Sequence, residues 1–493
     1  MSEAEPTADV VIVGGGGAGL AAALSAARLG RRVTLLEKAP RIGGTTALSV
    51  GSITASCTPH QSAAGVDDST QSHFDDMEAI AGADAGRDNR ALRRLYVEEA
   101  PATVNFLSDL GVVFLGPLPE DVHSKPRMHV AVPDSRAYLY HLLRHCRRAG
   151  VRIVTGARVE SLATDHGRVT GVVADVDGER RTFDARRGVV LASGDFSSGS
   201  GLKERMVAPG VAAIDGINPR STGDGQRMAM DAGATVVNGD IVWGPEIRFV
   251  PPSKPSLVTR VPPLRIVARG IAAAMRRLPD RLMRPFLMRF VTTYLAPSLG
   301  LFEKGAFLVN REGRRFCDER DHPELAIPEQ PGGEAFIVLD AALASELNAW
   351  PNFISTAPGV AYAYLADYQR NRSDICRQGD DIEDLASRCG IDPAGLKETL
   401  AQTSTDGAGA QAPYHILGPV RSWILLTEGG LNVDTRLRVL DENQQPIPGL
   451  FAAGSAGQGG LLLGGHGHHL GWAFTSGRIA GHSAACAATP TTG

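Results

Sequence analysis

The stretch Asp9-Val10-Val11-Ile12-Val13-Gly14-Gly15-Gly16-Gly17-Ala18-Gly19 decides the fold. Its β-branched apolar run has the pattern of a strand buried on both faces of a parallel sheet. Leu20 to Leu29 is alanine-rich and helical in character, Gly30 ends it, and Arg31–Glu37 supplies a second strand. The glycines therefore form G-x-G-x-x-G at a strand–turn–helix junction, a dinucleotide fingerprint. Gly14 permits the tight turn, Gly16 lets a pyrophosphate approach the backbone, and Gly19 lets helix and strand pack closely. Gly17 and Ala18 begin the helix whose N-terminus faces the phosphates. Glu37 closes the second strand about 20 residues on, placed to accept hydrogen bonds from a ribose.

The next residues extend the site. Lys38-Ala-Pro-Arg-Ile-Gly43-Gly44-Thr45-Thr46-Ala-Leu-Ser49-Val-Gly51-Ser52 adds a second glycine pair and clustered hydroxyls. That segment suits a ligand continuing past the pyrophosphate, so FAD is favoured over NAD. No histidine follows Gly43-Gly44 that could carry a covalent flavin, so non-covalent FAD is expected.

A chain of 493 residues exceeds one hydrophobic core, so two or three domains are expected. A net charge of −4 with 21% charged residues gives no electrostatic case for nucleic acid. Six cysteines are scattered without a C-x-x-C pair, which argues against an iron–sulfur or haem module and fits buried, reduced thiols. The acidic start lacks a secretory pattern and no apolar run is long enough to span a bilayer, so a cytoplasmic location is expected.

Further motifs carry a family resemblance. Glu37-Lys38-x-x-x-x-Gly43-Gly44-Thr45-Thr46, Ala192-Ser193-Gly194-Asp195-Phe196, Thr222-Gly223-Asp224-Gly225 and Val309-Asn310-Arg311-Glu312-Gly313-Arg314-Arg315-Phe316 occur in order. They are followed by the closing T-E-G-G-L-N-V-D-T and P-I-P-G-L-F-A-A-Gly454-S segments. Together they resemble the FAD-dependent fumarate reductase and 3-ketosteroid dehydrogenase superfamily, and more closely its ketosteroid branch. The resemblance implies an α/β fold, a Rossmann-like FAD-binding domain interrupted by an inserted α+β capping domain. The first FAD-binding part would span 1–215, the cap 216–404 and the second part 405–493. It also implies that Val159 meets the adenine through its backbone. Ala192, Gly194, Asp224 and Gly454 belong to the motifs implied to bind FAD. Leu470-Gly471 would start a helix aimed at the flavin pyrimidine edge.

The chemistry implied is hydride transfer at flavin N5, with a protein group moving the matching proton. The cations that hold a dicarboxylate in fumarate reductases are missing. Glu428 precedes the late glycine pair, and His466 follows Gly464-Gly465 where an arginine would fall. The tail Gly-His466-Gly467-His468-His469-Leu470-Gly471-Trp resembles the ketosteroid ending instead. Gly467 matches the residue whose N–H polarises a ketone, and His466 or His468 could share that role. Glu319 matches the family acid, and His322 falls near the position of the proton-moving tyrosine or arginine, with Tyr362 as a further candidate base. The expected function is α,β-dehydrogenation of a ketone, steroid-like or a smaller alicyclic compound. The alternatives are an ene-reductase acting on an enone or enoate, and a non-catalytic flavin electron relay. A small hydrophobic carbonyl substrate and a quinone or redox protein as acceptor are expected. His466, His468 and His469 suit no metal spacing pattern, so no metal is expected.

One segment stands apart. Between Lys254 and Arg289 nine basic residues face a single acid, Asp280. Leu264, Val267, Ile271, Met275 and Leu278 recur at helical spacing with arginines on the other side, as in a basic amphipathic helix. Peripheral membrane contact through 254–295 is one expectation, and a lid helix packed on the cap is the other.

Overall fold

The computed structural model describes residues 5–120, 122–252, 261–277, 284, 288, 291–293, 295–357, 361–403 and 411–489. The run at Ala8–Val13 forms strand β1, Gly17–Arg28 forms helix α1, and Val33–Glu37 forms strand β2. Each residue of β2 is buried, as the apolar run requires. β1 pairs in parallel with β2 on one side and with Glu179–Leu191 on the other; β2 continues to Arg152–Thr155. Pro446–Ala452 returns from the far end of the chain to pair in parallel with Glu179–Leu191. Two antiparallel strands, Ala157–Asp165 and Arg168–Val176, extend the eight-stranded sheet.

The long C-terminal helix, His468–Cys486, lies along α1. Its Gly477 and Gly481 face the Ala18 and Ala22 backbone so closely that a side chain at either would enter those carbonyls. These two glycines therefore serve helix packing rather than ligand approach.

The inserted domain has its own five-stranded sheet, with Tyr414–Trp423 at its centre. That strand pairs antiparallel with Glu246–Phe249, Ala335–Leu339 and Cys376–Gly379, and Phe307–Val309 extends the far side. This corrects the boundary drawn at 405, because the chain leaves the cap sheet only after Trp423. The earlier boundary also shifts. The helix Asp224–Asp231 packs on Ala157–Asp165 of the FAD-binding domain, so entry into the cap falls near Glu246 rather than at 216. Two short antiparallel ribbons join the domains, Val236–Val237 with Gly430–Leu431 and Val242–Trp243 with Leu426–Thr427. Ile382–Cys389 and Pro393–Thr403 are two short helices, with Gly390 left-handed between them.

The basic segment is helical at Arg265–Arg277. Its buried contacts are Ala268 and Ala272, with Ile271 beside them, against Val113, Leu115 and Val132. The apolar stripe read from the sequence is therefore mostly not the docking face, and Ile266 stands 80% exposed. Leu278 and most of 278–294, with 253–260, lie outside the described residues. No helix among the described residues is long and apolar enough to cross a membrane. Cys57 and Cys486 are exposed, correcting the expectation that all the thiols are buried.

Candidate flavin site

A cleft of about 370 Å³ opens along the C-terminal ends of the parallel strands, where open α/β sheets bind ligands. Gly14, Gly16, Gly17, Ala18, Glu37, Lys38, Gly43, Gly44, Thr45, Thr46, Ser49, Val159, Ala192, Gly194, Asp224, Gly454 and Leu470 all line it. Three other residues expected there do not. Gly19 lies behind the cleft, where a Cβ would collide with the Gly14 carbonyl. Gly51 is a left-handed residue held under Ser135, and its carbonyl accepts from Tyr138 Oη at 2.7 Å. Gly471 makes room for Tyr96. These three shape the cleft from the second layer.

The cleft has the features a dinucleotide needs. A Cβ built on Gly16 would meet nothing nearer than 3.9 Å, so the backbone there is open to a ligand. The Glu37 carboxylate is fixed by two backbone donors, Gly15 N–H at 2.7 Å and Ala39 N–H at 2.7 Å. Each of its oxygens keeps a second lone pair for a ribose hydroxyl. Lys38 Nζ donates to Thr222 Oγ1 at 2.6 Å and to Asp224 at 2.8 Å, tying the T-G-D-G motif across to the end of β2. Thr46 Oγ1 accepts from Gly17 N–H at 3.1 Å. These residues fit FAD.

At the other end of the cleft stands an imidazole to which the sequence reading gave no catalytic role. His469 lines the cleft, with Nε2 3.0 Å from Glu428 Oε1 and the Trp243 ring 5.2 Å away. Both ring nitrogens are buried and neither makes a directed hydrogen bond. Glu428 is held in turn by Gln458 Nε2 and by Leu463 N–H at 3.3 Å. Asp195 also lines the cleft. Burial pushes its carboxyl above the usual range, opposed by the Ser197 donors and the His469 charge.

The expected catalytic residues are distributed differently. His468 points inward, fully buried, its Nδ1–H donated to the Gly464 carbonyl. His466 is exposed, held by its backbone to Glu120 and Thr54. Gly467 is left-handed at φ 90° and pressed against Thr54. None of these three lines the cleft. Glu319 is buried and used structurally, accepting from Leu308 N–H at 2.8 Å and from Arg315. Tyr362 packs between Trp350 and Phe353. His322 is exposed on the cap, 2.9 Å from Glu324, which raises its pKa by hydrogen bond and charge.

The family model described as FAD binding domain matches residues 9–462. The chain belongs to this FAD-binding oxidoreductase family. It is 27% identical to an NADH:fumarate oxidoreductase of Klebsiella pneumoniae (strain 342), over 97% of this chain but 47% of that relative, so it spans about half of that relative's length. The open conformation of a flavocytochrome c3 fumarate reductase superposes with a TM-score of 0.73 at 25% identity, covering 98% of this chain and 79% of the other. A 3-ketosteroid-Δ4-(5α)-dehydrogenase from Rhodococcus jostii RHA1 superposes with a TM-score of 0.61 at 26% identity, over 98% of both chains. The family member described here is thus an FAD-dependent oxidoreductase.

Proposed function

We propose that this oxidoreductase desaturates a neutral, predominantly apolar ketone at its α,β carbon–carbon bond. Bound FAD supplies the hydride acceptor. The observation that carries the reading is the His469–Glu428 pair in the flavin cleft. The half-buried imidazole is positioned by the Glu428 carboxylate 3.0 Å from Nε2, beside an indole, and its buried Nδ1 makes no hydrogen bond within the protein. Such a donor can polarise a ketone oxygen and stabilise the enolate that develops there. Glu428 places negative charge where a dicarboxylate would require a cation, which disfavours fumarate-like substrates.

His322 is the proposed proton acceptor. The Glu324 carbonyl accepts from Ser422 Oγ at 2.6 Å, on the strand that leads within four residues to Leu426 in the cleft wall. That contact ties the His322–Glu324 segment to the strand that runs on toward the cleft, and Glu324 increases the basicity of the ring. Likeness to the ketosteroid enzyme over the full length of both chains supports a ketone. The name of the Klebsiella relative supports the reverse reaction, reduction of an enone or enoate, as the second reading.

Anaerobic titration with saturated ketones, from cyclohexanones to 3-ketosteroids, decides between them. Bleaching of the flavin absorbance by one class is expected, and His322→Ala should slow it. No bleaching, with reoxidation of chemically reduced enzyme by an enone or enoate, would establish the reductase. The acceptor in this proposal is a quinone or redox protein. Contact with an anionic membrane through 254–295 rests on Ile266 exposed between Arg265 and Arg269. Absence of co-sedimentation with anionic vesicles at low salt would remove it.

A further inference from the structure

Beside the flavin cleft, three imidazoles from distant segments converge. His73 lies on the helix Thr70–Ala81, His123 in the loop before Met128–Val132, and His468 at the start of the C-terminal helix. His73 and His468 are fully buried, and the His123 side chain is 1% exposed. His73 Nε2 and His468 Nε2 are 3.1 Å apart, and ring nitrogens of all three lie within 4.8 Å of one another. Two nitrogens held about 2.0–2.1 Å from one ion would be roughly 2.9–3.4 Å apart for octahedral to tetrahedral angles. The His73–His468 spacing falls in that range, and His123 lies close enough to join the pair by a side-chain adjustment.

The surrounding groups match a metal site in kind. His468 donates Nδ1–H to the Gly464 carbonyl, leaving a bare lone pair at Nε2, and His73 Nδ1 lies 3.3 Å from Ser56 Oγ. Such outer hydrogen bonds orient ligating imidazoles. Burial lowers all three pKa values, that of His123 to about 4, so the rings are neutral at pH 7. A hydrogen bond between His73 and His468 would satisfy that pair alone. It leaves the buried His123 Nε2 without a hydrogen bond, 3.7 Å from Glu120 Oε2. Charge also favours a cation, with Asp68, Asp76 and Glu120 set against Arg127, which is bidentate on Asp68. Ligation through His123 Nε2 requires its Nδ1–H to face Asp76 Oδ2, 3.9 Å away, in place of its present 3.3 Å approach to Arg127.

We propose that His73, His123 and His468 bind one divalent transition-metal ion of the zinc class, with Glu120 as fourth ligand. The ligand set is closed and buried, which suits a structural role. The ion would pin the start of the C-terminal helix to the two loops behind it and thereby fix His469 at the flavin. This departs from the sequence expectation of no metal, which considered only the local triplet.

The test uses the untagged, full-length flavoprotein, stripped with 1,10-phenanthroline and titrated with Zn²⁺ or Co²⁺. The expected result is about one ion per chain with a Kd below about 1 μM, and a thermal midpoint raised by several degrees. Co²⁺ should add absorption bands to the red of the flavin, and His123→Asn and His73→Gln should lose them while keeping FAD. Stripped protein that keeps its FAD and circular dichroism yet takes up no stoichiometric ion would overturn the proposal. So would His123→Asn binding as tightly as the parent. Either result would leave a hydrogen-bonded imidazole chain in the core.

Discussion

Replacing His469 removes the imidazole that Glu428 holds in the cleft wall, so His469→Ala should lower kcat/KM for the ketone by roughly 10²-fold or more. FAD content and the flavin spectrum should stay near normal, and stopped-flow reduction of the flavin reads the difference. The glycine motif makes a second contrast between neighbouring positions. Gly16→Ala places a methyl in space open to the ligand, so the chain should fold while FAD affinity falls about tenfold or more. Gly19→Ala drives its methyl into the Gly14 carbonyl and should cost about 3 kcal/mol of stability, read by denaturant unfolding in the apoprotein. Both roles were legible in the sequence because turn, approach and packing glycines occupy fixed places in one short motif. His469 was visible but not its role. The helix begins at His468, so one residue points into the core and the next, a third of a turn away, reaches the cleft. That phase is set by Gly467 packing on Thr54, a contact across more than four hundred residues of sequence. His73 and His123 had no local pattern at all, since only folding brings them to His468.

Among the elements, the Lys38 ammonium holds the T-G-D-G turn to the end of β2 while both side chains remain mostly buried. Lys38→Met should therefore weaken FAD binding, and a double-mutant cycle with Asp224→Asn should return a coupling of about 1 kcal/mol. A coupling near zero would mean that the turn is held by its backbone alone. The parallel strands and their helices were readable because apolar β-branched runs alternate with alanine-rich stretches. The strand Tyr414–Trp423 was not. It contains Gly418-Pro419, a pair that reads as a turn, and proline lacks the donor a central strand needs. The structure accommodates the pair as a bulge between the partners of Ala335 and Ile337, and Val250 donates to the Pro419 carbonyl instead. The basic helix was placed correctly but rotated wrongly. Small Ala268 and Ala272 allow closer approach to the sheet than the larger apolar residues flanking them.

For the molecule as a whole, buried neutral histidines set the response to acid. His129 is held at about 4 by burial, donating Nδ1–H to the Arg127 carbonyl at 2.7 Å and accepting from Thr58 Oγ1 at 2.8 Å. An unfolded histidine titrates at about 6.5, so the unfolded chain binds that proton first. Stability is complete above about pH 6.5 and declines as pH falls toward 4, by up to about 3 kcal/mol from this residue. Thermal unfolding followed at pH 7 and pH 5 should show the lower midpoint at pH 5, and His129→Asn should reduce the difference. The points at which the chain crosses between its two main sheets were not legible in the motifs. The ribbons at Val236–Val237 and Val242–Trp243 find their partners only near residue 430. The late central strand of the cap has a consequence during synthesis. Domains commonly fold in order as they leave the ribosome. Here the cap waits for Tyr414–Trp423 and the nucleotide-binding sheet waits for Pro446–Ala452. From the synthesis of Phe307–Leu339 until Tyr414–Ala452 has emerged, the nascent chain carries two unfinished sheets with open edges.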